Sequence, residues 1–190
     1  MRLLNEVRRK SFHLFGIIVP IGYYFAPDRI GRRVLLVMTI LALGIEVVRL
    51  NNPKARTLFY YIFGKMVREH ERFNLLGSTY VLLTCLLCAW AFWRPIAIVS
   101  MAFLVVGDGL AAIVGRSIGR HRVFGKTIEG SLACFLACVL VAWAYPGDPF
   151  TWRMILGGAL AATIFELVPI PLDDNLRISL SAGFTMTLLR

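Results

Sequence analysis

Seven apolar runs occupy most of this chain, at about residues 12–26, 34–48, 77–93, 95–115, 131–145, 154–168 and 178–189. In hydrocarbon every backbone N–H and C=O must find a partner inside the protein, and for runs of this kind a helix is the simplest solution. The pattern predicts an all-α integral membrane protein with about seven transmembrane helices. Several runs fall short of the ~20 residues a span commonly uses. Ile178 to Leu189 is the weakest, with a re-entrant course as its alternative. Composition agrees: 58% of the residues are hydrophobic and 17% charged, and mean hydropathy is +0.70, beyond what a soluble core of 190 residues requires.

A formal net charge of +10 is compatible with nucleic acid. The cations, however, flank the apolar runs instead of forming one stripe or tail, so no nucleic-acid partner is expected. With seven spans, 15 of the 21 Lys and Arg residues lie on one side. The positive-inside rule makes that side, and the N-terminus with it, cytoplasmic. Arg8, Arg9 and Lys10 before the first run imitate a secretory signal. Pro27 follows Ala26 where cleavage would fall and no A-x-A site appears, so the run reads as a retained span. Residues 49–74 are the one long polar stretch, and within it Leu58 to Phe63, followed by Lys65, Met66 and Arg68, reads as an interfacial amphipathic helix. No internal repeat or linker divides the chain, so residues 1–190 read as a single polytopic domain. Cys85, Cys88, Cys134 and Cys138 lie inside apolar runs without nearby His or acidic partners, as small packing residues do.

The chemistry concentrates in residues 107–130. Asp108 lies near the end of an apolar run, and an ionisable group there is costly and calls for a function. At about 100° per residue, Asp108, Ala111, Gly115 and Gly119 form one narrow stripe, open either to a ligand or to a neighbouring helix. Arg116, Arg120, Arg122 and Lys126 follow, with Gly119, Gly125 and Gly130 leaving backbone N–H groups unobstructed, a combination suited to phosphate. Glu129 has two readings, a Mg²⁺ ligand beside phosphate or an ion pair with Lys126.

Further carboxylates stand near the same side. Asp173, Asp174 and Asn175 follow Pro169 and Pro171 a few residues beyond Glu166. The doublet reads either as a cation site or as a helix cap before Leu176. Glu46 reads foremost as the partner of Arg49. Arg9, Lys10 and His13 share a helical face, compatible with phosphate contact or with topology alone. The topology puts the basic N-terminus, the glycine–lysine loop and the Asp173-Asp174-Asn175 turn on one membrane face, where they can meet.

On these residues the chain resembles the CTP-dependent lipid kinase family, which contains dolichol kinase, phytol kinase and the yeast-type diacylglycerol kinase. The resemblance spans nearly the whole chain. It rests on Arg9-Lys10-x-x-His13, Glu46-x-x-Arg49, the element from Asp108 through Ala111, Gly115 and Gly119 to Lys126-Thr127-x-Glu129-Gly130, and Glu166 followed by Asp173-Asp174-Asn175. It implies transfer of the γ-phosphate of CTP, with Mg²⁺, to a membrane lipid hydroxyl at the cytoplasmic face. It further places Asp108, Gly115, Lys126, Glu129 and Gly130 at the nucleotide and maps Arg9 and Lys10 onto the family's Arg-Lys pair, with His13, Arg116, Gly119, Arg120 and Thr127 as further nucleotide-binding candidates. Candidate metal ligands are Asp108, Glu129, Asp173 and Asp174. Candidate catalytic residues are Asp108, Lys126 and Glu166, with Asp108 as base or metal ligand, while Glu46, Arg49 and Asn175 support the substrate site. Compared with dolichol kinase, extra N-terminal spans are absent from this sequence, so it resembles a minimal catalytic unit.

Two rivals remain at this stage. A phosphatidate cytidylyltransferase also uses CTP, but its usual Lys-Asp and Pro-Gly-His-Gly-Gly stretch is missing here. A small ion-coupled transporter would place carboxylates in the membrane, yet has no need of a phosphate-binding loop.

Overall fold

The computed structural model describes residues 14–64, 67 and 69–190. It is helical throughout apart from one short hairpin. Helix α1 (Ile18–Phe25) ends before Pro27, and α2 (Asp28–Asn51) starts immediately after it, with Asp28 in its first turn. Asn52 ends α2 and caps α3 (Pro53–Phe63), its side chain accepting from the N–H groups of Lys54 and Ala55. Pro53 at the first helical position costs no hydrogen bond there. After a 3₁₀ turn at Glu69–Arg72 come α4 (Gly77–Ala91) and α5 (Arg94–Ala102). A widened π turn, Phe103–Gly107, joins α5 to α6 (Asp108–Ser117), so that Arg94–Ser117 is one helical rod. The hairpin, β1 (Arg122–Val123) and β2 (Lys126–Thr127), leads into α7 (Ile128–Trp143), followed by α8 (Trp152–Leu167) and α9 (Asp174–Leu188).

The rod is the hub. Ile96, Met101, Phe103 and Leu104 are fully buried, and the rod packs against α1, α4, α7 and α9. Helices α7, α8 and α9 stack in sequence order, joined by short turns as antiparallel neighbours. The outward faces stay apolar: Leu132, Leu136, Leu140 and Trp143 repeat along one exposed side of α7. Such a stripe suits hydrocarbon and not water.

Each of the seven expected runs overlaps a helix. Two helical segments, Asp28–Asn51 and Arg94–Ser117, are long and apolar enough to cross a membrane unaided. Helix α9 continues without a break, and its Ile178, Ala182 and Met186 are buried, so the weakest run is a continuous packed helix. Helix α3 lies within the expected interfacial stretch and buries none of its residues. The hairpin was not expected from an all-α reading. Its turn, Phe124-Gly125, has φ of +50° and +80°, the two left-handed positions of a two-residue primed turn.

Candidate active site

The hairpin is fixed at its base by Glu129. That carboxylate accepts from the His121 N–H at 3.2 Å and stands 2.8 Å from His121 Nδ1. Its own backbone N–H, then the His121 ring, hold its pKa down at about 2, so it is an anion at every physiological pH. Thr127 caps α7, its Oγ1 accepting from the Gly130 N–H at 3.2 Å. Neither reading made of Glu129 from the sequence corresponds to this contact. The i,i+3 rule that suggested Lys126 holds within a helix, whereas residues 126–129 straddle a strand and a helix start.

Lys126 reaches the end of α8 instead. Its Nζ lies 2.7 Å from Glu166 Oε1 and 3.7 Å from Asp174 Oδ2, and it also donates to the backbone carbonyl of Glu166. Ser131 Oγ donates to the other Glu166 oxygen at 3.3 Å. Glu166 is buried at the last turn of α8, while Lys126 is 30% exposed and can be reached from outside. Across the turn, Arg177 donates to Asp174 Oδ1 and to the carbonyl of Val168. The glycine–lysine loop and the aspartate turn thus meet at one end of the helix bundle.

The two aspartates divide the work. Asp173 is the N-cap of α9, its Oδ1 accepting from the Asn175 N–H at 2.9 Å and the Asn175 side chain at 2.7 Å. Asp174 faces Lys126. The capping reading of the turn therefore describes Asp173 and Asn175.

The glycine stripe faces the chain itself. A Cβ on Gly115 would come within 2.5 Å of Thr127 Oγ1, and one on Gly130 within 2.6 Å of the Ala111 carbonyl. Gly119 likewise lies against the Thr127 methyl. The small residues let α6 and α7 touch backbone to backbone, and the first turn of α7 occupies the stripe. Deeper along this contact, Gly107 abuts Cys134 and Cys138. Buried Asp108, next in the chain, therefore sits about one helical turn, ~5 Å, below the level of Gly130. It begins α6 directly after the π turn, a distortion that often marks functional sites. Leu14 packs on Gly109 beside it. Arg116 and Arg120 are exposed at and beyond the end of α6. Arg9, Lys10 and His13 lie outside the described residues.

Glu46 and Arg49 form a clasp elsewhere. Arg49 donates to Glu46 Oε2 from Nε at 2.9 Å and from Nη2 at 2.5 Å. It also reaches Tyr60 Oη and the carbonyls of Glu71, Arg72 and Asn74. Glu46 Oε1 accepts from the Leu76 N–H at 3.0 Å and from Thr79 at 3.1 Å. Both side chains are buried, and they tie α3 and the segment before α4 to the end of α2.

Sequence reasoning missed Ser131 and Arg177. For Arg177 a signal existed, since it stands i+3 from Asp174. Ser131 carried none, because its partner is 35 residues away. Among the described residues no group of three or more His, Cys, Asp or Glu converges as a metal site. Mg²⁺ needs less protein than that, commonly one or two carboxylates plus substrate phosphates. Glu166 and Asp174, already gathered around one ammonium, fit that donor set. Of the four expected ligands, Asp174 is in this group, Asp173 adjoins it as the helix cap, Glu129 is engaged by His121, and Asp108 lies deeper.

Neither a family profile nor a solved structure matches the chain. Curated relatives do. An uncharacterized protein of Rickettsia prowazekii is 31% identical over 96% of this chain and 94% of its own length. A CTP-dependent diacylglycerol kinase of Eremothecium gossypii is 30% identical over 97% of this chain and 68% of its own. A probable chloroplastic phytol kinase of Glycine max is 33% identical over 72% of this chain, which covers 53% of that protein. The chain belongs to the CTP-dependent lipid kinase family, among whose members are phytol kinases and CTP-dependent diacylglycerol kinases.

Proposed function

We propose that this protein is a multi-pass membrane enzyme that transfers the γ-phosphate of CTP to the hydroxyl of a membrane lipid alcohol at the cytoplasmic face. The observation that carries this reading is the meeting of Lys126 with Glu166 and Asp174, in a chain whose relatives are named as CTP-dependent and phytol kinases. Phosphoryl transfer asks the protein mainly for positioning and for cations beside the phosphate oxygens. Lys126, held between Glu166 and Asp174 and partly exposed, is the cation best placed for that task. Arg116 and Arg120 supply further positive charge nearby.

Mg²⁺, when bound, would neutralise charge on the phosphate oxygens, and Glu166 with Asp174 are the residues that would hold it. Asp108 is the candidate base. It is buried about one helical turn, ~5 Å, from the level of Gly130. The acceptor oxygen forms the new bond to the γ-phosphorus, the bond to the β-phosphate oxygen breaks, CDP leaves and Asp108 takes the hydroxyl proton. The acceptor class is polyprenol or dolichol, phytol, or diacylglycerol, each with one hydroxyl on an apolar body.

The test incubates the purified full chain with Mg²⁺ and γ-labelled CTP or ATP against that lipid panel. The reading expects a labelled lipid phosphate and CDP. Release of pyrophosphate would instead indicate a cytidylyltransferase, and labelling from ATP alone would refute the choice of donor.

A further inference from the structure

Arg177 is placed where a guanidinium is costly. It lies near the start of α9, where a cation opposes the helix dipole, and its side chain is only 6% exposed. Nη1 donates to the Val168 carbonyl and Nη2 to Asp174 Oδ1, while the buried Nε has no hydrogen-bond partner among the described residues. Leaving a buried donor unpaired is unfavourable. The orientation that leaves Nε unpaired satisfies the end of α8 and the first residue of α9 simultaneously, through one planar fork.

The result is asymmetric at Asp174. Oδ1 is committed to Arg177, and Oδ2 faces Lys126 at a loose 3.7 Å. We propose that Arg177 is the positioning residue of the site: it locks Asp174 so that Oδ2 alone is presented to Lys126 and the nucleotide. Lys126, partly exposed, is the partner that exchanges its Glu166 contacts for phosphate, while Asp174 stays fixed. This inference rests on the lipid-kinase reading.

A double-mutant cycle tests it, comparing wild type, Arg177→Gln, Arg177→Lys, Asp174→Asn and Arg177→Gln/Asp174→Asn as full chains in nanodiscs. CTP affinity and turnover per folded molecule are both measured. Arg177→Gln should weaken one or both by about 10–100-fold, as loss of a carboxylate's supporting partner does. The double variant should stay within about twofold of Asp174→Asn alone, because Arg177 acts through Asp174. Arg177→Lys should recover little, since one ammonium cannot span both acceptors.

Three results would overturn the proposal: effects of Arg177→Gln and Asp174→Asn that multiply, an Arg177→Lys variant equal to wild type, or an Arg177→Gln variant with lower Tm and unchanged CTP affinity and turnover. If Arg177→Gln does not fold, Arg177→Lys replaces it in the cycle. Wild type that binds CTP but phosphorylates no lipid would remove the kinase reading and leave the CTP-affinity cycle decisive for Arg177.

Discussion

Lys126 is held by both the carboxylate and the carbonyl of Glu166, so its ammonium stabilises the end of α8 as well as standing ready for phosphate. The two roles separate by mutation. Lys126→Met should lower turnover by about 100-fold or more, the scale of losing one preorganised donor, and should also destabilise the fold by leaving Glu166 buried beside Ser131 alone. Adding Glu166→Gln should restore Tm but not lipid phosphorylation, and recovery of activity in the double variant would deny Lys126 its role. At Asp108 the expectation differs. Asp108→Asn should reduce turnover by about 10²–10⁴-fold with CTP binding retained, as removal of a general base does. Equilibrium binding of labelled CTP checks it, and loss of binding would move Asp108 to the metal. At this scale the sequence was informative about charge and poor about partners. Asp174, Lys126 and Glu166 were visible as carboxylates and a cation near the same membrane face. Ser131 was not, because a serine within an apolar helix gains meaning only from what packs opposite.

Between elements, the contact of α6 with α7 sets the depth of Asp108 relative to Lys126. Its geometry leaves no room at Gly130, where a methyl would meet the Ala111 carbonyl at 2.6 Å. Gly130→Ala should cost about 1–3 kcal/mol by overpacking. Gly44→Ala, where a Cβ meets nothing within 4 Å, should be neutral or stabilise by up to about 1 kcal/mol through helix propensity. Thermal unfolding of both variants in the same detergent makes the comparison, and equal Tm values would remove the close approach. The helices themselves were legible from their apolar runs, and the stripe from its spacing. Whether that stripe met a ligand or a helix was not, since spacing defines a face and says nothing of its occupant. The π turn at Phe103–Gly107 left no trace either, because one extra residue per turn hardly disturbs an already continuous apolar run.

For the molecule as a whole, the alternation of helices puts the Pro169–Asp173 turn and the Ala144–Thr151 loop at opposite ends of α8. Cys85, Cys88, Cys134 and Cys138 are fully buried, so an introduced thiol at an exposed position reports alone. On the proposed topology, Pro171→Cys should react with an impermeant maleimide only from the cytoplasmic side and Pro146→Cys only from the other. Labelling of both from one side would dismantle the arrangement. That the glycine–lysine loop and the aspartate turn meet at one end of the bundle was legible because it follows from the alternation of helices, a global property that tolerates local errors in helix ends. Height is the remaining feature. Helices α7 and α8, at 16 residues each, rise only about 24 Å, against a hydrocarbon layer of about 30 Å. On the proposed topology, a stack this squat would draw the surrounding headgroups inward and thin the leaflet around the site. The proposed acceptor, an alcohol without a charged headgroup that rides low in the membrane, would then reach the enzyme more readily. Turnover should accordingly rise in bilayers of shorter acyl chains, and indifference to chain length in reconstituted vesicles would rule out the thinning.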